Sequence, residues 1–147
     1  MLAVSKQSGR SLTELLIVLA IMGIMAAMAG PSYQTMADRA QARSVAAEIA
    51  STLRMARQLA MARRERLLLR FDLAERTVTL QRADVEGVLD VYRYGEKGVA
   101  IEEPTAGPDI LFHSSGRSAS ATTIRVQDRQ GRRTTVTVSL TGRVVIS

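Results

Sequence analysis

Residues 9–31 read GRSLTELLIVLAIMGIMAAMAGP. From Leu15 to Gly30 this stretch carries no charged side chain. An α-helix rises ~1.5 Å per residue, so a helix from Ser11 to Gly30 would be about 30 Å long. That length matches the thickness of the hydrocarbon core of a bilayer. The first interpretation is therefore a membrane-spanning helix.

A cleaved secretory signal is the competing interpretation. Lys6 and Arg10 would form its positive region, Leu15–Met25 its apolar region, and Ala27-Met28-Ala29 its cleavage site. Two features favour a retained helix: Glu14 stands at the charged end of the apolar run, and a helical pattern continues beyond it. A carboxylate inside a span is unfavourable unless it is paired, so Glu14 is expected to have a partner.

The segment Gly9-Arg10-Ser11-Leu12-Thr13-Glu14 with the following apolar run resembles the class III signal of type IV pilins and type II secretion pseudopilins. The resemblance implies that a prepilin peptidase cuts after Gly9 and that Arg10, where the family usually has Phe, becomes the N-methylated first residue. Glu14 is then the fifth mature residue, as in the family. Pro31 falls at the mature position where the family commonly has proline.

An interaction between subunits would explain Glu14 physically. A new α-amino group at Arg10 is positive, whereas Glu14 among apolar neighbours has no partner in its own helix. Pairing the two between subunits neutralises both and fixes an axial stagger of roughly one helical turn. The alternative is a Glu14 side chain that reaches the lipid headgroups near the helix start.

Beyond Pro31 a second, amphipathic helical pattern runs from Ser32 to Arg66. Pro31 should kink the helix without necessarily ending it. The apolar stripe is rich in alanine and is predicted at Tyr33, Met36, Ala37, Ala40, Val45, Ile49, Leu53, Ala56 and Ala60. Four arginines outside this stripe form either a solvated face or a partner-binding face: Arg54, Arg57, Arg63 and Arg64.

The rest of the chain reads as short β-branched strands separated by turns rich in Gly, Pro, Asp and Ser. The predicted strands are 67–71, 77–81, 88–92, 99–101, 110–112, 122–127, 134–139 and 143–146. Asp128-Arg-Gln-Gly131 is predicted to be a hairpin loop with Gly131 at positive φ. The fold class is therefore α+β, a long N-terminal helix packed on small antiparallel sheets.

The order of these elements, with Phe112-His-Ser-Ser-Gly116 and Gly142-Arg143 in the second half, is similar to the GspH/FimT group of minor pseudopilins and minor pilins. The resemblance implies a pilin-like fold with three segments: a leader (1–9), a transmembrane and assembly helix (10–31), and a periplasmic domain (32–147). It also implies a structural subunit of a type II secretion pseudopilus or a type IV pilus. Its partners would be other pilins, prepilin peptidase and the inner membrane.

Composition argues against most catalytic and metal sites. The 147 residues contain no cysteine and one histidine, His113, so cysteine-based and multi-histidine metal sites are excluded within one chain. His113 lies beside Ser114 and Ser115, but no nucleophile-elbow motif accompanies them. Glu102-Glu103 lacks the ordered spacing of a calcium loop. We therefore expect no enzyme, cofactor or metal.

Charge raises a second functional hypothesis. The net charge is +6, and only two of the 20 basic residues are lysine. Residues 117–147 hold six arginines against Asp128 alone. The alternative function is DNA capture by a FimT-like minor pilin through the C-terminal arginines Arg129, Arg132, Arg133 and Arg143. The DNA-binding signature of that group is similar to Gly-Arg-x-Arg, whereas Gly142-Arg143 is followed by two valines. A plain single-pass anchored periplasmic protein is the remaining alternative.

Overall fold

The computed structural model describes the backbone of residues 12–147 and the side chains of residues 12–27 and 33–147. Gly9 and Arg10 lie outside the described residues. The chain divides into two compact units between Met36 and Ala37. One helix, α1 (Leu12–Arg63), supplies residues to both and continues through Pro31, which was predicted to kink the helix without necessarily ending it.

The first unit, as far as it is described, consists of the helical residues 12–36. Its large apolar side chains are exposed, from 50% at Val18 to 76% at Leu12 and Tyr33. Within the described part of the chain, no helix meets the length and hydropathy needed to cross a membrane.

The second unit contains two four-stranded antiparallel sheets. The first has the order β3-β2-β1-β5 and the second β4-β6-β7-β8. The strands are β1 (Leu67–Asp72), β2 (Thr77–Arg82), β3 (Val88–Arg93), β4 (Ala100–Ile101), β5 (Asp109–Phe112), β6 (Thr122–Gln127), β7 (Arg133–Val138) and β8 (Val144–Ile146). Each lies within a residue or two of a predicted strand, and the predicted α+β class is confirmed.

The core of the second unit forms between α1 and the two sheets. The helix contributes small and branched side chains at three- and four-residue spacing: Ala42, Val45, Ala46, Ile49, Ala50, Leu53, Ala56 and Ala60. The sheets contribute alternate residues, and the predicted inward set of β6 and β7, namely Ile124, Val126, Val136 and Val138, is fully buried. Alanines in the helix stripe let the sheets approach the helix closely.

The stripe begins later than predicted. Tyr33 and Met36 are 76% and 70% exposed, and Ala40 is exposed as well, so the buried face starts at Ala42. The periodicity was correct, but it extends past the residues that the sheets cover. A periodic pattern gives the face of a helix and not how much of its length is covered.

The helix also ends earlier than predicted, at Arg63 rather than Arg66. Arg64 takes a left-handed conformation with φ of 54°, and the Glu65 amide donates to the Ala60 carbonyl at 3.2 Å. This is a Schellman-type termination built without glycine. It turns the chain directly into β1, where the first residue, Leu67, is already fully buried.

Candidate functional site

The helix of the first unit presents large apolar side chains that are exposed among the described residues. Leu15, Leu16, Ile17, Val18 and Leu19 are each at least half exposed. Glu14 lies in the first turn of α1 and is exposed. Over residues 12–147, no arginine or lysine lies within ion-pair distance of Glu14, so the described chain does not neutralise it internally.

The β6–β7 hairpin is organised by one buried carboxylate. Asp128 Oδ1 accepts hydrogen bonds from the amides of Gln130 and Arg132, both at 2.9 Å, and Oδ2 accepts from Arg132 Nε at 2.7 Å. Gly131 completes the turn with φ of 77°, as predicted. Burial alone would raise the pKa of Asp128, but the hydrogen bonds and the charge of Arg132 outweigh it, so the pKa is lowered.

The four arginines predicted for DNA binding are not brought together. Arg129 and Arg132 belong to the β6–β7 loop and Arg133 begins β7, whereas Arg143 follows the turn at the other end of β7. The length of that strand separates the two groups by about 20 Å. Two of the four are also less available to bind phosphate, because carboxylates already pair with them. Arg132 pairs with Asp128, and Arg133 Nε lies 2.8 Å from Glu102 Oε1.

Glu102 does not behave as an isolated loop carboxylate. It accepts from Gln127 Nε2 at 3.0 Å and also pairs with Arg125 at 3.5 Å. With Arg133 it forms an ion-pair cluster that runs from the end of β4 across β6 to β7. Within the described residues, no group of three or more His, Asp or Glu side chains could hold a metal ion.

A basic cleft joins the hairpin to the start of the helix in the second unit. It encloses about 210 Å³ and is lined by Arg39, Ala42, Arg43, Asp128, Arg132, Arg133 and Thr134. Arg39 and Arg43 are one helical turn apart and exposed, and no carboxylate of the described chain pairs with either. These two arginines were not among the site residues predicted from the sequence. Their spacing on one helix face could be seen in the sequence, but their proximity to the β6–β7 hairpin depends on the tertiary structure.

Two of the arginines predicted to form a solvated or partner-binding face donate hydrogen bonds within their own domain, although Arg54 is still exposed and Arg57 is half-buried. Arg57 Nε donates to the carbonyl of Gly116 at 2.9 Å, and Arg54 Nη2 donates to the carbonyl of Val144 at 3.2 Å. They attach the helix to the β5–β6 loop and to β8. Arg63 and Arg64 lie at the helix end and are exposed.

Residues 45–142, about two thirds of the chain, match the family described as type II transport protein GspH. The chain belongs to the GspH family. Residues 4–30 match the prokaryotic N-terminal methylation motif, which contains the predicted processing site. The resemblance to GspH-type minor pseudopilins and minor pilins is thereby confirmed, and the family consists of structural subunits that assemble with other pilins. No protein of curated function matches the sequence.

Solved structures share the fold at low sequence identity. The type IV minor pilin FimU of Pseudomonas aeruginosa (strain PAO1) superposes with a TM-score of 0.63 at 13% identity, over 74% of this chain and 90% of FimU. The minor pseudopilin EpsH from the type 2 secretion system of Vibrio cholerae gives 0.60 at 16% identity, over 73% of this chain and 96% of EpsH. At these identities the likeness establishes the pilin fold.

Proposed function

We propose that this GspH-family chain is a minor pseudopilin or minor type IV pilin that prepilin peptidase processes after Gly9. The observation that carries the proposal is the combination, in one chain, of a methylation motif over residues 4–30 with a GspH match over residues 45–142. Arg10 then becomes the first mature residue and Glu14 the fifth. The protein acts by assembly, and we assign it no catalytic step.

We further propose three functional segments. Residues 1–9 form the leader, residues 10–31 the membrane and assembly helix, and residues 32–147 the periplasmic domain. The exposed apolar side chains between Leu12 and Met25 support the second segment, because such a surface is stable only when lipid or other helices cover it. Before assembly the helix anchors the subunit in the inner membrane, and in a filament it packs against equivalent helices.

Glu14 is proposed to pair with the α-amino group of Arg10 on a neighbouring subunit. Its exposure, and the lack of an ion-pair partner within residues 12–147, support a partner from outside the described chain. A charge buried among apolar helices is strongly unfavourable without such a partner. The pairing therefore makes the register of assembly depend on prior processing.

DNA capture, the alternative raised by the C-terminal arginines, gains no support from the geometry. Arg143 lies at the opposite end of β7 from Arg129, and the charges of Arg132 and Arg133 are compensated by carboxylates. A few consecutive phosphates of a DNA strand could not contact all four of these arginines at once. We therefore propose a structural role alone.

The test of the assembly role is a comparison of Glu14→Ala with Glu75→Ala, which removes an exposed carboxylate from the β1–β2 turn. Both variants should insert in the membrane and be processed, because neither alters Gly9. In cells that express the partner pilins, E14A should lose most of its crosslinks to them, whereas E75A should keep them. Unchanged crosslinks in E14A would mean that Glu14 only reaches the headgroups.

A further inference from the structure

The basic cleft defined by Arg39, Arg43, Arg132 and Arg133 has no role in the assembly helix. Its electrostatics are unbalanced in favour of positive charge. Asp128 pairs with Arg132 and accepts hydrogen bonds from two backbone amides, and Glu102 pairs with both Arg133 and Arg125. Arg39 and Arg43 therefore remain without an ion-pair partner within residues 12–147.

The shape of the cleft suits a compact anion. Two guanidinium groups from adjacent turns of α1 face a cavity of about 210 Å³ whose other wall is the hairpin. Arginine donates in a planar fork that matches the oxygens of a phosphate. The volume equals several waters at about 30 Å³ each, so one phosphate group with part of its hydration fits.

The position of the cleft along the chain indicates where that phosphate comes from. After Glu14 the next charged residue is Asp38, and Arg39 follows it immediately. The uncharged residues 15–37, as part of one helix, extend about 35 Å, compared with ~30 Å for a hydrocarbon core and ~40–45 Å for a bilayer including its headgroups. When this segment anchors the chain, Arg39 and Arg43 are the first cations that follow it in the sequence, and basic residues next to a membrane segment are attracted to anionic headgroups. Tyr33, which is exposed, is a residue type enriched at membrane interfaces.

On this basis, and resting on the membrane anchoring proposed above, we infer that the cleft binds the phosphodiester of an anionic phospholipid headgroup. Arg39 and Arg43 supply the uncompensated charge, and the β6–β7 hairpin supplies the second wall through Arg132 and Arg133. The contact would hold the hairpin end of the globular domain at the membrane surface until the subunit is extracted into a filament.

The absence of cysteine from the sequence allows a clean test with the full chain. Gln130 lies exposed at the tip of the hairpin and uses only its backbone amide in the turn, so Gln130→Cys can carry a fluorophore. The labelled protein is reconstituted in vesicles of phosphatidylglycerol mixed with phosphatidylcholine, or of phosphatidylcholine alone. Both vesicles contain a trace of lipid with a quencher on its headgroup.

Quenching should be strong with phosphatidylglycerol, weak with phosphatidylcholine, and abolished by 1 M salt, where the Debye length is about 3 Å. Arg39→Gln with Arg43→Gln should shift the equilibrium away from the surface by about fivefold per arginine removed. Arg63→Gln with Arg64→Gln, at the far end of α1, removes the same charge and should leave quenching unchanged. Both pairs are exposed, so neither should impair folding.

Equal quenching on both vesicles, or full quenching in the R39Q/R43Q variant, would overturn the inference. A third contradictory result would be quenching that does not depend on the lipid and decreases only when a partner pilin or a DNA fragment is added. That result would assign the cleft to the added partner. Alkaline extraction of the same vesicles separates this from the proposed function. If the chain resists extraction but its quenching does not depend on the lipid, the proposed membrane anchor stands and only the proposed lipid binding by the cleft is wrong.

Discussion

Arg57 Nε donates a hydrogen bond to the carbonyl oxygen of Gly116 at 2.9 Å, across 59 residues of sequence. The turn that contains Gly142 closes over the same contact, because a Cβ at Gly142 would collide with that carbonyl oxygen and would lie 2.7 Å from Arg57 Nε. Helix α1, the β5–β6 loop and the β7–β8 turn therefore meet at one guanidinium group. Both glycines that carry the family resemblance in the second half of the chain lie at this contact: Gly142 leaves room for the Arg57 guanidinium, and Gly116 leaves room for the Met61 side chain.

Arg57→Met should destabilise the domain by about 1–3 kcal/mol, because it leaves the partly buried Gly116 carbonyl without its charged donor while keeping most of the apolar stem. Urea denaturation of the full chain in detergent, followed by circular dichroism, measures the free energy of unfolding. Arg63→Met is the matched control and should change stability by less than about 0.5 kcal/mol, since Arg63 is exposed. Equal effects from the two substitutions would show that the Arg57 contact contributes nothing.

Gly142→Ala and Gly131→Ala should differ sharply although both glycines have similar φ, 76° and 77°. At Gly131 nothing lies within 4 Å of the added Cβ, so only the left-handed conformation is penalised, by about 1–2 kcal/mol. At Gly142 the added carbon also collides with the Gly116 backbone. The melting temperature should therefore fall much further for G142A than for G131A. Similar losses would mean that conformation alone explains both.

Asp128 should make the hairpin sensitive to acid. Its pKa is lowered in the folded chain, so its contribution to stability is complete above the ordinary carboxyl pKa of about 4 and is lost as the pH falls through the lower folded value. Asp128→Asn should lower stability at neutral pH and flatten the dependence of the melting temperature on pH below about 4. Thermal melts of both proteins from neutral to strongly acidic pH provide the measurement. A parallel downward shift at every pH would contradict the assignment.

The C-terminal arginines should not form a DNA-binding unit. We expect affinity for duplex DNA at physiological salt to be weaker than about 10⁻⁴ M, because the available charges are split between the two ends of β7. Filter binding or fluorescence anisotropy at several salt concentrations tests this with the full chain in detergent. Affinity near 10⁻⁶ M would restore DNA capture if each substitution at Arg129, Arg132, Arg133 or Arg143 also lowered the log–log salt slope by about one unit.

Local patterns in the sequence predicted most of the fold. Alternation located β6 and β7 to within a residue, and Asp-x-x-Gly at 128–131 located their turn, because both signals depend on neighbouring residues. The extent of the buried helix face could not be predicted from the same periodicity, since it depends on how far the sheets reach along α1. The roles of Arg54 and Arg57, and the meeting of Arg39 with the hairpin, also depend on long-range contacts. On a helix surface these arginines are indistinguishable by sequence from solvated ones.

Processing after Gly9 is tested by the intact mass of the protein extracted from membranes of cells that contain prepilin peptidase. The mature chain should lack residues 1–9, begin at Arg10 and carry one added methyl group. Gly9→Ala should leave the full-length precursor in the membrane, because a side chain at that position obstructs the peptidase. A mature chain that begins after residue 29, or a wild-type chain that keeps all of its first nine residues, would contradict the assignment as a processed pilin-type subunit.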